Sequence, residues 1–378
     1  MYIRQKILDE IENILVQTEN KKTIVILGPR RSGKTTLLNK ILENKNNFRL
    51  AAGEDLEVQH YLSSQSINKL QQFVGQNKLL VIDEAQKIPN IGINLKLLAD
   101  HCPALQIIVT GSSALDLSNQ TGEPLTGRKI SLQLFPLSQM ELNQIEDASQ
   151  TRANLESRLL YGSYPETILA NDNQKRRDYL QELVSSYLYK DILELEGIHK
   201  SKAMAKLLQL LAWQIGKEVS LHELGQQLGW HSNTVERYLD LFEKTFVLIN
   251  ITAFSRNLRK EITKKSRYYF YDVGVRNALI GQFNALTLRN DVGELWENYL
   301  VIERLKKLAY KKIWCNHYFW RTYSQQEIDW IEEGDGKLNA YEFKWQPRKI
   351  LAPSEWRSNY ATSTFNVINR ENYLEFIV

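Results

Sequence analysis

The chain has 378 residues, more than a single hydrophobic core usually supports, so two or three domains are expected. Hydrophobic residues make up 43% and charged residues 24%, which excludes a disordered or collagen-like chain. The net charge of +4 is uneven: residues 255–312 hold 13 Lys and Arg against 6 Asp and Glu, a net of +7, which leaves −3 for the remainder. This local excess indicates either a phosphate-facing surface or a solvated face.

The first residues and the cysteines are typical of a cytoplasmic protein. Apolar residues recur at helical spacing from Ile3 to Leu15 among charged ones, which predicts an amphipathic helix and not a signal peptide. No apolar run approaches the roughly 20 residues that a membrane-spanning helix needs, so no membrane partner is expected. Cys102 and Cys315 do not form a CxxC pair, which argues against disulfides and a cysteine-rich zinc site.

Residues 28–35 read GPRRSGKT and satisfy the pattern G-x-x-x-x-G-K-[ST]. The apolar run TIVIL precedes them and the helical TLLNKIL follows, which is the context that a phosphate-binding loop requires. Backbone amides at the start of the helix bind phosphate, while Lys34 adds a charge for the outer phosphates and Thr35 a hydroxyl for Mg²⁺. The nucleotide-binding residues predicted here are Gly28, Pro29, Arg30, Arg31, Ser32, Gly33, Lys34, Thr35 and Thr36.

A second motif, LLVIDEAQ, follows about fifty residues later. Four apolar residues of a predicted buried strand end in Asp83, which we expect to hold the water shell of Mg²⁺. Glu84 is the predicted base that polarises the attacking water. The segment VTGSS (109–113) ends the next strand, and its tip at Thr110 or Ser112 is either a sensor of the γ-phosphate or a plain turn. The two motifs together predict a site for ATP and Mg²⁺.

From Thr23 to about Pro136, β-branched runs alternate with helical stretches, which predicts a parallel sheet covered on both faces. Arg128, just before the last of these strands, is a candidate arginine finger, with an ion pair to a neighbouring carboxylate as the alternative. The chain then becomes helical, interrupted by YGSYPE (161–166), where Gly162 and Pro165 force a loop.

Residues 220–244, SLHELGQQLGWHSNTVERYLDLFEK, predict two helices broken at Gly229, a helix-turn-helix pattern. Two strand-like runs follow and supply a wing with a basic loop. In one interpretation these elements bind DNA or RNA; in the other they pack against the ATPase or a protein partner. The predicted nucleic-acid contacts are Asn233, Thr234, Arg237, Arg256, Arg259, Lys260, Lys264, Lys265 and Arg267.

The segment 326–345, QEIDWIEEGDGKLNAYEFKW, predicts a hairpin with Asp335-Gly336 as its two-residue turn. Counting outwards, Asp329 lies opposite Glu342, and both share one face with Lys344. Like charges in that arrangement are unfavourable unless a cation lies between them, and Mg²⁺ together with Lys344 would provide that. The alternatives are a solvated face or a fold without the chemistry. The residues assigned to the opposite, core face are Ile328, Trp330, Tyr341, Phe343 and Trp345.

The combination GPRRSGKTT, LLVIDEAQ, VTGSS, LTGRKISLQLFPLS and YGSYPE resembles the prokaryotic archaeal-type AAA ATPases. The resemblance implies a P-loop module followed by a winged helix and a C-terminal region similar to restriction endonucleases. The family's usual GG-x-P reads Gly162-Ser163-Tyr164-Pro165 in this chain. The spacing D-x(12)-E-x-K resembles the PD-(D/E)xK nuclease core, which implies catalytic roles for Asp329, Glu342 and Lys344, and Glu294 matches an additional metal ligand of that family.

We therefore expect an α/β P-loop ATPase of AAA+ type with a helical lid, a winged helix-turn-helix and a small α+β nuclease-like domain. The expected function is ATP hydrolysis coupled to nucleic-acid engagement. The alternative is an ATP-dependent switch or scaffold for protein partners, with an inactive nuclease-like domain. A homo-oligomer, in which Arg128 acts between subunits, is left open. The predicted boundaries are 1–137 for the ATPase core, 138–199 for the lid, 200–285 for the winged helix and 286–378 for the nuclease-like domain.

Overall fold

The computed structural model describes residues 2–16, 21–112, 125, 127–188, 201–256 and 265–378. Two compact units are present, which we call the N-terminal unit (residues 2–136 with 244–246) and the C-terminal unit (residues 137–243 with 247–378). Within the described ranges, no helix has the length and apolar character needed to cross a bilayer.

The N-terminal unit is an α/β structure. Its strands are β1 (Thr23–Leu27), β2 (Phe48–Ala52), β3 (Leu79–Asp83), β4 (Gln106–Gly111) and β5 (Lys129–Gln133). Its helices are α1 (Lys6–Val16), α2 (Lys34–Leu42), α3 (Leu56–Leu62), α4 (Ile67–Val74) and α5 (Ile91–His101). The strands form one sheet in the order β2-β3-β4-β1-β5, and every neighbouring pair is parallel. The three central strands are almost completely buried, as a sheet covered on both faces requires.

This strand order decides where the functional side chains meet. The strand β4 lies between β1, which leads into the phosphate loop, and β3, which ends in Asp83. All carboxyl ends of parallel strands point to the same edge of the sheet, so the residues after β1, β3 and β4 converge there. The predicted parallel α/β core is confirmed.

The C-terminal unit combines helices with two small sheets. Its helices are α6 (Gln139–Leu142), α7 (Ala148–Tyr161), α8 (Pro165–Leu169), α9 (Asn173–Glu182), α10 (Ser201–Trp213), α11 (Leu221–Leu228), α12 (Ser232–Lys244), α13 (Val273–Leu279), α14 (Val292–Tyr310), α15 (Ser354–Asn359) and α16 (Tyr373–Ile377). Its strands are β6 (Glu218–Val219), β7 (Leu248–Thr252), β8 (Ser266–Phe270), β9 (Asn316–Arg321), β10 (Glu327–Gly334), β11 (Lys337–Phe343) and β12 (Thr364–Ile368). The sheets have the orders β6-β8-β7 and β12-β11-β10-β9.

One hydrophobic cluster joins α7, β8, α14 and β11 of the C-terminal unit. Leu155 of α7, Tyr269 of β8, Trp296 of α14 and Phe343 of β11 belong to a single cluster of buried side chains. These residues come from the segments predicted as lid, winged helix and nuclease-like domain. The predicted domain boundaries stay predictions, and α14 contributes buried residues to this shared cluster.

The loop before α8 is fixed by a buried carboxylate. Asp272 accepts hydrogen bonds from the backbone N–H groups of Ser163 at 2.7 Å and Gly274 at 2.9 Å. Gly162 has a φ of 70°, and a Cβ there would lie 1.9 Å from Asp272 Oδ1. Burial raises the pKa of Asp272 to about 6, although the three backbone hydrogen bonds lower it. Ser163 replaces the second glycine of GG-x-P, and it is tolerated because only its backbone N–H bonds to Asp272. Gly162 must lack a side chain, because a Cβ there would overlap with the Asp272 carboxylate.

The hairpin β10–β11 has the predicted register. Gly334 pairs with Lys337 and Trp330 with Tyr341, and Asp335 and Gly336 both have positive φ, as a type I′ turn requires. The prediction for Ile328 is wrong. The pairing of β10 with β9 shifts between Ile328 and Ile331, and this bulge turns Ile328 into a second cluster, away from Trp330.

Asn298 of α14 joins that helix to β8, since its side-chain amide donates to the Phe270 carbonyl and accepts from the Phe270 N–H, both at 2.8 Å. Asn298→Ala leaves two buried backbone groups unpaired, and we expect a loss of about 3 kcal/mol of unfolding free energy. Urea unfolding followed by tryptophan fluorescence reports the C-terminal unit, because all 8 tryptophans lie after residue 136.

Asn316→Ala, at an exposed position of β9, is the matched control and should leave the midpoint unchanged. Equal midpoints for Asn298→Ala and Asn316→Ala would contradict the proposed role of the Asn298 amide.

Candidate nucleotide site and carboxylate cluster

The phosphate loop closes around its own lysine. Gly33, with a φ of 101°, precedes the first turn of α2, a conformation that side chains with a Cβ rarely adopt. Lys34 Nζ donates to the carbonyl oxygens of Gly28 and Pro29, both at 3.0 Å, and Lys34 is buried. Ser32 Oγ also donates to the Pro29 carbonyl, at 2.8 Å. The loop therefore holds the ammonium group at the amino end of a helix, where phosphate oxygens bind.

Four of the other predicted loop residues are more exposed to solvent than Lys34. Arg30 and Arg31 are half-buried, and Arg31 has a φ of 59°. Thr35 and Thr36, in the first turn of α2, are exposed. Their exposure leaves both hydroxyls open to a ligand above the loop.

Asp83 links the phosphate loop to β4. Its Oδ2 accepts from Thr35 Oγ1 at 2.7 Å, and its Oδ1 accepts from Thr110 Oγ1 at 2.5 Å. The same Thr110 hydroxyl accepts from the backbone N–H of Glu84 at 3.0 Å. The two residues predicted to face Mg²⁺, Thr35 and Asp83, are therefore in direct contact. Thr110, one of the two candidate sensors, orients Asp83.

Glu84 is held by a residue to which the sequence assigned no role. Gln86 Nε2 donates to Glu84 Oε2 and also to Ser112 Oγ, the latter at 2.9 Å. Glu84 Oε1 lies 3.8 Å from Lys34 Nζ. The predicted base is thus tied through Gln86 to the second candidate sensor, Ser112. Gln86 follows Glu84 in LLVIDEAQ, so its position two residues after the acid was the available signal.

Two glycines permit the close backbone approaches at this edge of the sheet. A Cβ on Gly53 would lie 2.2 Å from the Glu84 carbonyl oxygen, and the Gly53 N–H donates to the Asp83 carbonyl at 2.8 Å. A Cβ on Gly28 would lie 2.1 Å from the Leu134 carbonyl oxygen. Gly53 has no predicted role in the sequence, because only the pairing of β2 with β3 brings it to Glu84.

The structure places Arg128 away from the phosphate loop of its own chain. Arg128 lies at the amino end of β5, where its carbonyl accepts from the Thr23 N–H at 2.9 Å. The phosphate loop begins at the opposite end of β1, about 15 Å along the strand. The Arg128 guanidinium forms an ion pair with Asp100, which was the alternative interpretation. The candidate arginine finger, acting between subunits, stays a prediction.

The arrangement fits a magnesium nucleotide. A hydroxyl and a carboxylate oxygen, the hard donors that Mg²⁺ prefers, lie beside a buried ammonium at a helix amino end. Thr35 and Asp83 would hold the ion, and the amides of the loop with Lys34 would hold the phosphates.

The second predicted site, in the C-terminal unit, is enclosed but differs from the expectation. Glu342 Oε1 accepts from Lys344 Nζ at 2.6 Å, and Asp329 Oδ2 accepts from the Phe343 N–H at 2.8 Å. Burial, followed by the charge of Asp329, raises the pKa of Glu342 to about 7. Asp329, Glu342 and Lys344 are therefore neighbours, as the hairpin register predicts.

The helix residue that approaches them is Glu297, not Glu294. Glu294 is half-exposed, with Lys217 Nζ at 4.0 Å. Glu297, one turn later on α14, is half-buried beside Asp329, and desolvation and the Asp329 charge raise its pKa to about 8. The predicted ligand set of Glu294, Asp329 and Glu342 is not assembled. Among the residues that the structure describes, no group of three or more His, Cys, Asp or Glu is arranged to hold a metal ion.

An arginine lies among these carboxylates. The Arg267 guanidinium is 2.9 Å from Glu327 Oε2, 3.4 Å from Glu297 Oε1 and 3.6 Å from Asp329 Oδ1. We call Arg267, Glu297, Glu327, Asp329, Glu342 and Lys344 the carboxylate cluster. Arg267 was predicted as a nucleic-acid contact, but it is buried and inaccessible to a phosphate.

The other predicted nucleic-acid contacts have mixed environments. Asn233 and Arg237, on α12, are exposed, and Thr234 is half-buried. Arg256 pairs with Glu333, and Lys265 pairs with Glu218 at 2.5 Å. The remaining three predictions, Arg259, Lys260 and Lys264, lie outside the described residues.

Thr110→Val removes the hydroxyl that orients Asp83, so we expect ATP hydrolysis to fall by about 10- to 100-fold, while Thr110→Ser retains most of it. Thr23→Val is the matched control, because Thr23 is also buried in the sheet but at the opposite edge. Steady-state phosphate release checks the expectation. A Thr110→Val chain as active as Thr23→Val would exclude an orienting role for the hydroxyl.

Comparison with known proteins agrees with this site. Residues 20–143 match the family described as an AAA domain, and residues 152–286 and 292–361 match two domains of unknown function, DUF8612 and DUF4143. An uncharacterized protein of Mycobacterium tuberculosis is 25% identical over 325 residues, 85% of this chain and 70% of that protein. An uncharacterized protein of Methanocaldococcus jannaschii is 23% identical over 338 residues, 84% of this chain and 73% of that protein.

The alignment with the structure of AMPPCP-bound DnaA from Aquifex aeolicus covers 63% of this chain and 86% of the DnaA chain, with 18% identity and a TM-score of 0.32. A score this low carries no structural argument. Residues 20–143 are similar to an AAA domain, and they include the phosphate loop and the contact between Thr35 and Asp83.

Proposed function

We propose that this chain binds ATP with Mg²⁺ in its N-terminal unit, hydrolyses it, and couples hydrolysis to nucleic-acid engagement by its C-terminal unit. The observation that carries the ATPase part is the Asp83 carboxylate, which accepts hydrogen bonds from Thr35 and Thr110 at once. This arrangement fixes a carboxylate beside the phosphate loop before nucleotide binds, so little reorganisation is needed.

Each residue has a distinct task in this proposal. Lys34 leaves the carbonyls of Gly28 and Pro29 to bind the outer phosphates. The metal ion, when bound, neutralises charge that develops on the phosphate oxygens. Glu84 accepts a hydrogen bond from the attacking water and orients it in line with the γ-phosphate. Gln86 holds the Glu84 carboxylate in that orientation and connects it to the Ser112 hydroxyl through the same side-chain amide.

The nucleic-acid part of the proposal rests on α11, α12 and the strands that follow. The helices are joined by a short turn at Gly229. β7 and β8 follow them and form a small antiparallel sheet with β6, which precedes α11, an arrangement that resembles a winged helix. Asn233 and Arg237 are exposed near the start of α12, where a recognition helix presents its contacts. DNA and RNA are both compatible with contacts made mainly to phosphates.

A second candidate is an ATP-dependent switch that binds protein partners through the C-terminal unit. The favouring observation is that Arg256, Lys265 and Arg267, three of the predicted phosphate contacts, already form ion pairs with carboxylates of their own chain. A phosphate would have to displace those carboxylates.

Lys34→Ala should weaken ATP binding, because the residue holds phosphate, whereas Glu84→Gln should retain binding and lose about 100-fold or more of hydrolysis. Binding of a fluorescent ATP analogue and phosphate release measure the two effects separately. Hydrolysis by Glu84→Gln at the wild-type rate would remove Glu84 from the mechanism.

Replacement of Arg237, Arg259, Lys260 and Lys264 by Ala in the full chain should lower nucleic-acid affinity and reduce the slope of log affinity against log salt by about one per lost phosphate contact. Basal ATP hydrolysis should not change. Fluorescence anisotropy with labelled duplex DNA and single-stranded RNA provides the measurement. Lys206→Ala, exposed on α10, is the matched control. An unchanged slope, or no binding by the wild type, would favour the protein-partner candidate.

A further inference from the structure

The carboxylate cluster holds four carboxylates and two cations, so its carboxylates outnumber its cations. Asp329 and Glu342 are buried and Glu297 is half-buried, and Arg267 and Lys344 lie among them. Burying unpaired charge is costly, so such a group needs either a further cation or a proton. Burial and the neighbouring charge of Asp329 raise the pKa values of both Glu297 and Glu342.

Most of the carboxylate oxygens that a metal ion would need are already engaged, and Glu342 Oε2 is the exception, because it is buried without a hydrogen-bond partner. Asp329 Oδ2 accepts from the Phe343 N–H, and its Oδ1 faces Arg267 Nη1. Glu297 Oε1 accepts from the Tyr269 hydroxyl at 2.5 Å and faces the same guanidinium. The Arg267 guanidinium packs on the Phe319 ring, 4.5 Å from its centroid, which fixes its plane. A divalent ion between Glu297 and Asp329 would have to displace a buried guanidinium that packs on an aromatic ring.

We infer that Arg267 is the resident cation of the carboxylate cluster, and that the cluster is a structural ion-pair network joining β8, α14 and β10, not a divalent-metal site. The magnesium that the nuclease resemblance implies does not fit these residues. This inference does not depend on ATP hydrolysis, because the cluster and the phosphate loop lie in different units.

The first test measures metal binding without any change to the cluster. The full chain carrying Thr35→Ala and Asp83→Asn, which removes the predicted metal contacts of the N-terminal unit, is titrated with Mn²⁺ and followed by electron paramagnetic resonance. We expect no saturable binding at millimolar Mn²⁺. Saturable binding that is lost on adding Asp329→Asn would overturn the inference.

The second test asks whether Arg267 is the counter-ion of Glu297. Arg267→Met keeps an unbranched apolar stem and removes the guanidinium charge, and we expect the melting temperature of the C-terminal unit to fall by about 10 °C. Adding Glu297→Gln should restore at least half of that loss, because it removes the carboxylate left unpaired. Arg256→Met, which breaks the exposed ion pair with Glu333, is the matched control and should shift the midpoint little.

Three outcomes of the second test would overturn the inference: an unchanged midpoint in Arg267→Met, no recovery in Arg267→Met with Glu297→Gln, or recovery of Arg267→Met by added Mn²⁺ alone. If Arg267→Met does not fold, Arg267→Lys supplies the answer. It retains the charge, so it should fold, and adding Glu297→Gln should not stabilise it. A rise in the melting temperature of Arg267→Lys on adding Glu297→Gln would contradict the inference.

Discussion

The nucleotide site depends on one constraint, the position of β4 between β1 and β3 in a parallel sheet. That order brings the Thr110 hydroxyl to Asp83 from one side while Thr35 reaches it from the phosphate loop. In a sheet where β3 adjoined β1 directly, Thr110 would lie outside the pair of strands that carry the site. Because Gly53 has no Cβ, the backbone after β2 can lie close to the Glu84 carbonyl at the edge of the sheet that carries the site.

Polar groups on α14 join this helix to distant segments of the C-terminal unit. Asn298 pairs with the backbone of β8, while Glu303 accepts from the Gln139 N–H at 2.7 Å and Lys306 donates to the Leu137 carbonyl at 3.0 Å. Each of these groups is buried, and each is satisfied by a segment remote in sequence. Because an unpaired buried charge or amide is costly, removing one segment would leave its partner on α14 unsatisfied. The helix therefore makes the stability of the segments interdependent.

In the carboxylate cluster, the hairpin has the register that the sequence predicts, but the side chains around it differ from the predicted metal site. The turn at Asp335-Gly336 fixes Asp329 near Glu342, as turn chemistry dictates. The third carboxylate and the cation are supplied by α14 and β8, at positions that the hairpin does not specify. A residue spacing that resembles the core motif of a metal-dependent nuclease is therefore compatible with an ion-pair network. The cation between Glu297 and Asp329 is decided by which side chain reaches the space between them.

The sequence by itself determined the features that depend on neighbouring residues. Glycine and lysine spacing determined the phosphate loop, runs of β-branched residues determined the buried strands, and an Asp-Gly pair determined the hairpin register. These follow from backbone conformation and periodicity, which act over a few residues. Only the tertiary structure decided that Gln86 holds Glu84, that Glu297 and not Glu294 meets Asp329, and that Arg267 lies among the carboxylates. Those contacts depend on helix rotation, a β-bulge and the packing of distant segments. The partner of a buried charge is therefore set by the tertiary structure and not by neighbouring residues in the sequence.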